Sequence, residues 1–308
     1  MGRHVLTIED CSRKEILALF ERATVLKRET RAGKPHLTLA GKTLAMIFEK
    51  PSTRTRLSFE VGMFQLGGHA IHLASSTSQL ERGETYSDTA RVMSRYVDGI
   101  LIRTFHQQSV VDMAQATTIP IINGLTDRSH PCQVLTDLFT VVENFGVERL
   151  LRDGKIAYVG DGNNMANSWI EAALVLGFPL AIATPQGYEP DAELLQRITA
   201  GSHRHISIGH DPQAAVRDAI VVNTDTWVSM GQEGERTAQK KEYFAPFQVN
   251  RALMQLAHRE AIVLHCLPAH REEEITSEVM DGPQSRIFDQ AENRLHLQKA
   301  LLEQLMAR

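Results

Sequence analysis

Short, wholly apolar runs alternate with longer segments in which apolar residues recur every three or four positions, and the alternation continues along most of the chain. Ser12 with Glu15 three residues on has capping-box spacing, and Ile16, Leu17, Leu19, Phe20, Ala23 and Leu26 follow at helical period. Gly41-Lys42 then leads into Thr43–Phe48, an apolar run that reads as a buried strand. Residues 52–66 read as a helix, with Leu57, Phe59, Val61 and Phe64 as its apolar contacts. The pattern repeats as strand 69–73, polar loop 74–85, helix 86–95, strand 98–102, helix 108–116, strand 119–122 and helix 131–145. Strands separated by helices of this length predict βαβ units and a parallel sheet.

The pattern breaks around Asn144–Gly154, where Gly146 and Asp153-Gly154 punctuate it. A second series begins at Lys155–Val159 and continues through strands near 179–183, 219–223 and 262–265. Between the last two lies 224–245, a polar, Gly-containing stretch too long for an ordinary connection and therefore read as a functional loop or lid. A final helix at about 290–306 has Leu295, Leu297, Leu301, Leu302 and Leu305 to pack with. The expected class is α/β, in two domains at 1–146 and 147–308, each a parallel sheet flanked by helices. A length of 308 residues agrees with two domains.

Composition narrows the function classes. Hydrophobic residues make up 43% and charged residues 23%, as in an ordinary globular chain. The formal net charge is -4 and no basic block stands out, so nucleic acid is not an expected partner. An anionic ligand must instead be held by a local cluster of cations. Cys11, Cys132 and Cys266 are odd in number and widely spaced, which fits reduced thiols in the cytoplasm better than a disulfide framework. Met1-Gly2-Arg3-His4 leads into a polar helix rather than a secretory segment, and no apolar run approaches the roughly 18 residues of a membrane span.

The most specific chemical signal is Phe48-Glu49-Lys50-Pro51-Ser52-Thr53-Arg54-Thr55-Arg56. A strand ends, and small hydroxyl residues open a helix whose first turn carries unpaired N–H groups and the positive end of the dipole. Three hydroxyls and an arginine there make an anion pocket suited to phosphate. A lone Ser-Thr would be an ordinary cap; the full run after a strand is not. His130 before a helix reads alone as a capping or core histidine, or as a donor to a carbonyl oxygen. Asp225, in the long loop, is a carboxylate suited to an α-ammonium group. Gly160-Asp161-Gly162-Asn163-Asn164-Met165 hints at a dinucleotide turn but has Met165 where the third glycine belongs. His265, Cys266 and His270 match no common zinc spacing, so neither metal nor cofactor is expected.

Ser52–Arg56 resembles the carbamoyl phosphate motif of the aspartate and ornithine carbamoyltransferases. His130-Pro131-Cys132-Gln133 is similar to that family's H-P-x-Q segment. Asp225 with Ser229-Met230-Gly231 resembles the D-x-x-x-S-M-G loop of its ornithine branch, and His265-Cys266-Leu267-Pro268 the H-C-L-P turn of that branch. Arg294, opening the last helix, stands where the family has a late phosphate-binding arginine. The resemblance covers nearly the whole chain. It implies a first domain for carbamoyl phosphate, a second for ornithine, and a last helix that returns to the first domain.

The same resemblance implies the roles. Arg103, His130 and Thr55 polarise the carbamoyl carbonyl; Ser52, Thr53 and Arg54 hold the leaving phosphate; and Gln133 takes the carbamoyl amide. Cys266, Leu267 and Arg294 complete the carbamoyl phosphate set, and Cys266 lies near the attacking amine. Asn164, Asp225, Ser229 and Met230 bind ornithine. Gln79, in a polar loop that would otherwise read as solvated, reaches a neighbouring subunit's site, which implies a homotrimer or an assembly of trimers. Citrulline and phosphate are the implied products, within arginine metabolism.

Other readings make different demands. Aspartate as acceptor needs extra cations for its second carboxylate, where this loop offers an anion and apolar surface. Putrescine lacks the α-carboxylate, and an acylated ornithine is a further possibility. A Rossmann oxidoreductase leaves Ser52–Arg56 unexplained. A non-catalytic anion-binding protein has no need of His130, Gln133 and Cys266 together.

Overall fold

Strand order in the computed structural model reverses once in each of two parallel sheets, and both reversals bring motif residues to a sheet edge. The structure describes residues 4–74, 83–201, 203–228 and 237–307. Its compact units are Met1–Phe139 with Glu292–Arg308, and Thr140–Ala291.

In the first unit, helix α1 (Arg13–Arg31) starts at the Ser12 capping box, whose Oγ accepts from the Glu15 amide while the Glu15 carboxylate accepts from the Ser12 amide at 2.8 Å. Strand β1 (Thr43–Phe48), helix α2 (Thr53–Gln65), strand β2 (His69–Ala74), helix α3 (Tyr86–Met93), strand β3 (Gly99–Arg103), helix α4 (Gln107–Ala116) and strand β4 (Ile121–Leu125) follow. The sheet order is β2-β1-β3-β4, all parallel. β1 and β3 lie side by side in its interior, which is why both read as continuous apolar runs rather than alternating ones. β4 lies later than the expected 119–122. Pro120 precedes it, and its polar Asn123 is buried and donates to the Leu6 carbonyl, hiding a strand position from a hydrophobic reading. Helix α5 (Pro131–Arg152) runs past the expected end at 145, with a break at Gly146, whose φ of 79° leaves the helical region.

The second unit holds strand β5 (Ile156–Val159), helix α6 (Asn164–Leu176), strand β6 (Leu180–Ala183), helix α7 (Ala192–Ala200), strand β7 (Ile206–Gly209), helix α8 (Pro212–Val216) and strand β8 (Val221–Thr224). Helices α9 (Thr237–Phe244) and α10 (Arg251–Met254), strand β9 (Ile262–His265) and helix α11 (Ser277–Met280) complete it. The order is β7-β6-β5-β8-β9, again parallel. β7 was not expected: it is a four-residue edge strand with only Ile206 buried, too short and too exposed to stand out. Helix α9 falls inside the stretch read as a loop; its sequence is polar, and of the side chains that anchor it only Phe244 is apolar and fully buried.

The last helix, α12 (Ile287–Met306), starts before the expected 290, and its residues from Glu292 onward belong to the first unit. Leu297, Ala300, Leu301 and Leu302 are buried there. Arg22 grips Glu303 through two bonds of 2.5 and 2.8 Å, and the Lys27 ammonium donates to Asn293 at 2.7 Å. The Lys299 ammonium donates to Thr30 and Gln65, and burial lowers its pKa to about 8. No helix among the described residues is long and apolar enough to cross a membrane.

Leu301 lies in this buried face, so Leu301→Ala is expected to cost about 2–5 kcal/mol. Urea unfolding followed by a probe in the first unit checks this; an unchanged midpoint would mean that α12 is not part of that unit's core.

Candidate active site

In an open parallel sheet, the crevice at the carboxyl ends of two strands whose connections depart in opposite directions is a natural binding site. Here β1 connects to β2 on one side, while β3 continues to β4 on the other, so the switch falls between β1 and β3. The chain beyond β1 is the hydroxyl-rich turn, and β3 ends at Arg103. Ser52 caps α2, its Oγ accepting from the Thr55 amide at 3.3 Å and donating to Thr55 Oγ1 at 3.0 Å. Thr55 is fully buried, Arg54 and Ser52 are half-buried and Thr53 is exposed. Arg56 turns outward to Glu60 at 3.2 Å, a surface pair rather than a pocket residue.

Arg294 joins this helix to the His130–Gln133 segment. It lies two turns into α12 rather than at the helix start, and its guanidinium donates to Gln133 Oε1 at 2.6 Å and to Thr55 Oγ1 at 2.9 Å. With the Gln298 amide oriented to satisfy both of its ends, its oxygen accepts from Arg294 Nε at 3.0 Å and its nitrogen donates to Ser58. Gln133 in turn donates to Asp137 at 2.8 Å. Arg103 and His130 are each 4% exposed. Burial first, and then the charges of Arg294 and Arg103, hold the His130 pKa well below its usual value, so at neutral pH the imidazole is uncharged. A neutral ring keeps one N–H to donate and adds no charge to a site already crowded with cations.

In the second unit the switch falls between β5 and β8, and Asp225 immediately follows β8. Its Oδ1 accepts from the Thr226 amide at 2.8 Å and from the Cys266 thiol at 2.9 Å; its Oδ2 accepts from Asn163 Nδ2 at 2.9 Å. Asn163 also caps α6, receiving the Met165 amide at 2.9 Å, so the helix start fixes the carboxylate's partner. Asn164 is the first helical residue. Tyr158 is buried beneath, donating to the Asp161 carbonyl at 2.9 Å; burial and then Asp225 raise its pKa and keep the phenol protonated. The Asp161 carboxylate meets Lys240 at 2.7 Å, and Lys240 sits over the Tyr188 and Phe244 rings at 5.1 and 5.2 Å.

His265 has a defined tautomer. Its Nδ1 accepts from the Leu267 amide at 2.9 Å, so Nε2 carries the proton and donates to buried Glu274 at 3.0 Å. Leu267 has a φ of 59° and precedes a cis Leu267-Pro268 bond. Gly162 answers the dinucleotide hint: a Cβ there would lie 2.3–2.5 Å from the backbone of 188–190. The glycine is required by packing of two loops. Among the described residues, Asp225–His265–Cys266 and His270–Glu273–Glu274 gather metal-capable atoms, each already engaged with neighbouring groups.

The structure thus joins Ser52, Thr55, Gln133 and Arg294 by direct bonds, with Arg103 and His130 close enough to interact electrostatically, and separately joins Asp225 with Cys266. Gln79, Ser229 and Met230 lie outside the described residues. Asn163, Gln298, Tyr158 and Lys240 were not singled out from sequence. Asn163 alone had a legible signal, an asparagine at a strand-to-helix turn where a cap is needed.

Comparison with known proteins divides the chain near the same point, although the second family model runs on through α12, whose residues from Glu292 onward lie in the first unit. Residues 3–143 match the family model described as aspartate/ornithine carbamoyltransferase, carbamoyl-P binding domain, and residues 152–305 match its Asp/Orn binding domain. Ornithine carbamoyltransferase of Syntrophus aciditrophicus is 54% identical, with 99% of this chain and 100% of that protein covered. The structure of ornithine carbamoyltransferase from Pyrococcus furiosus is similar at a TM-score of 0.93 and 49% identity, covering 99% of this chain and 97% of that one. Anabolic ornithine carbamoyltransferase from Campylobacter jejuni has a TM-score of 0.88 and 42% identity, with 98% of each chain covered.

The depressed pKa of His130 has a consequence for stability. The unfolded chain takes up a proton near the ordinary histidine pKa of about 6.5, whereas the folded site resists it, so stability falls as pH drops below that value. His296, lowered to about 4 by burial, acts in the same sense between 6.5 and 4. Replacing His130 with Gln is expected to remove up to about 1.4 kcal/mol per pH unit from the slope of stability between pH 6 and 5. Urea midpoints at stepped pH test this, and parallel slopes for the two proteins would contradict it.

Proposed function

The chain belongs to the aspartate/ornithine carbamoyltransferase family, and from that premise we propose that it transfers the carbamoyl group of carbamoyl phosphate to the δ-amine of L-ornithine, giving L-citrulline and phosphate. The observation that carries this reading is Arg294 bonded at once to Thr55 of the phosphate helix and to Gln133. An α2 N-terminus with Ser52, Thr53, Arg54 and Thr55 receives the phosphate. Arg103, neutral His130 and Thr55 serve the carbonyl oxygen, and Gln133 the carbamoyl amide.

The neutral δ-amine attacks the carbonyl carbon, and the oxygen takes up negative charge. Donors already oriented toward that oxygen stabilise it without reorganising. The C–O bond to phosphate then breaks, phosphate leaves with the electron pair, and a phosphate oxygen accepts the proton lost by the amine. No protein base is required. The rate should therefore rise with pH as the bound amine deprotonates. Asp225 pairs with the α-ammonium of the amino acid, with Asn164, Ser229 and Met230 completing that subsite and Cys266 beside the amine. Asn163 and Cys266, both donating to Asp225, orient its carboxylate.

We also assign a homotrimer or an assembly of trimers. Leu57, Val61 and Phe64, spaced along one face of α2, are 54%, 38% and 79% exposed, and Ile71 of β2 is 39% exposed. The three α2 residues border a groove of about 770 Å³, an apolar surface of the kind that marks an interface. Gln79 then belongs to the neighbouring site. Cys11, Cys132 and Cys266 form no disulfide, which supports a cytoplasmic setting.

The deciding assay measures phosphate release with ornithine, putrescine, aspartate, lysine and N-acetylornithine, with products confirmed by mass. Citrulline formed about a hundredfold faster than any other product is expected; a preference for putrescine would discard the role of Asp225 as an α-ammonium partner. In that assay Arg103→Met should lower kcat by about 10²–10³, and a wild-type rate would remove Arg103 from the oxyanion site. Phe64→Asp should yield a smaller species in sedimentation velocity; an unchanged coefficient would mean that α2 is not the interface.

A further inference from the structure

Two charged residues between β1 and the phosphate helix take no part in the chemistry above. Lys50 has a side chain only 7% exposed. An ammonium so placed is costly unless it is paired, and this one forms an ion pair with Asp127 while lying 4.4 Å from the centre of the Phe105 ring. Those contacts engage its charge within the protein. Glu49 faces other groups: its carboxylate accepts from the Tyr86 hydroxyl at 2.7 Å and the Thr104 hydroxyl at 2.5 Å, and its amide donates to the Arg103 carbonyl at 2.9 Å.

Apart from Tyr86, which opens α3, the partners lie on two separate strand-end segments. Arg103, Thr104 and Phe105 continue β3. Asp127 lies in the turn after β4, where Thr126 Oγ1 accepts from the amides of Arg128 and Ser129 at 3.3 and 3.1 Å, and the turn ends at His130. The Asp127 amide donates to the Phe105 carbonyl at 2.9 Å, and the Thr104 amide to Leu125 at 3.0 Å. Glu49 and Lys50 stand immediately before Ser52. They therefore tie the phosphate turn to the segment bearing Arg103 and to the segment bearing His130, past the last paired residues of the sheet, where loops otherwise drift independently.

We propose that Glu49 and Lys50 are positioning residues for carbamoyl transfer, holding Arg103 and His130 in register with the phosphate turn. The proposal rests on the reaction assigned above. Displacing donors from a developing oxyanion costs rate far more than it costs binding of the ground state, and an error of about 1 Å can cost about 10²-fold. The brace should therefore be visible in kcat and much less in affinity for phosphate.

The test uses the full chain with Lys50→Met, Lys50→Arg, Glu49→Leu and Glu49→Gln. For Lys50→Met we expect kcat for citrulline formation to fall roughly ten- to a hundredfold, with the Kd for inorganic phosphate within about threefold of wild type. Lys50→Arg keeps a cation over Phe105 and should recover most of the rate, and Glu49→Gln should lose less than Glu49→Leu. Hydrogen exchange should quicken at the Thr104 and Asp127 amides in Lys50→Met while the rest of the first unit keeps its protection. A wild-type kcat, a rate loss matched by an equal loss of phosphate affinity, or no recovery in Lys50→Arg would each overturn the proposal. Should the wild-type protein form no citrulline, the assigned reaction falls, and exchange alone then decides the brace: unchanged protection at Thr104 and Asp127 removes it, and faster exchange retains it.

Discussion

Everything chemical in this chain depends on the carboxyl ends of parallel strands. A parallel sheet sends every strand the same way, so all its outgoing loops gather at one edge, and a reversal in strand order parts two of them. The first unit makes that reversal between β1 and β3, parting the phosphate turn from Arg103, and the second makes it between β5 and β8, parting the Asp161–Asn163 turn from Asp225. The strands themselves contribute bulk: β1, β3, β5, β8 and β9 are almost wholly buried and, β8 apart, mostly apolar, which keeps the ends rigid. Precision at the edge is borrowed from the stiffness beneath it.

The first unit concentrates positive charge where the chain as a whole is slightly acidic. Arg103 and Arg294 are nearly buried, and His130 stays neutral first because it is buried and then because they are near. The buried guanidinium of Arg294 persists because it finds oxygens on Thr55, Gln133 and Gln298. The last helix is thus both a slab of core and the carrier of a site residue. A chain end that returns to the first unit closes the core through Leu297, Leu301 and Leu302, and the same closure delivers Arg294.

The second unit centres instead on a nearly buried carboxylate. Asp225 is 8% exposed and accepts from an amide, an amide side chain and a thiol, which fixes both oxygens without neutralising them. The residues around it form a second layer: Tyr158 under the turn, Lys240 clamped on Asp161, and His265 locked by Glu274. Each member of that layer has a polar partner, as burial demands.

How much of this could be read in advance follows from the range of the interactions. Local patterns carry β1 and β9 residue for residue, the Ser12 and Ser52 caps and the two-unit α/β plan, because burial on both faces of a central strand and capping of a first turn are written in adjacent residues. The motifs supply the functional groups of Ser52–Arg56, His130, Gln133, Asp225 and Cys266, since a functional group is a property of a residue type. Edge strand β7, polar helix α9 and the start of α12 escaped because their stability comes from neighbours rather than from their own period. The roles of Gly162, Asn163 and Gln298 likewise required the fold: each is set by a contact with residues 26 to 240 positions away, at 188–190, at Asp225 and at Ser58. Sequence alone determined which groups this protein possesses and that strands alternate with helices in two units. Only tertiary structure decided which of them face one another, because that depends on strand order and helix return, and no local pattern encodes either.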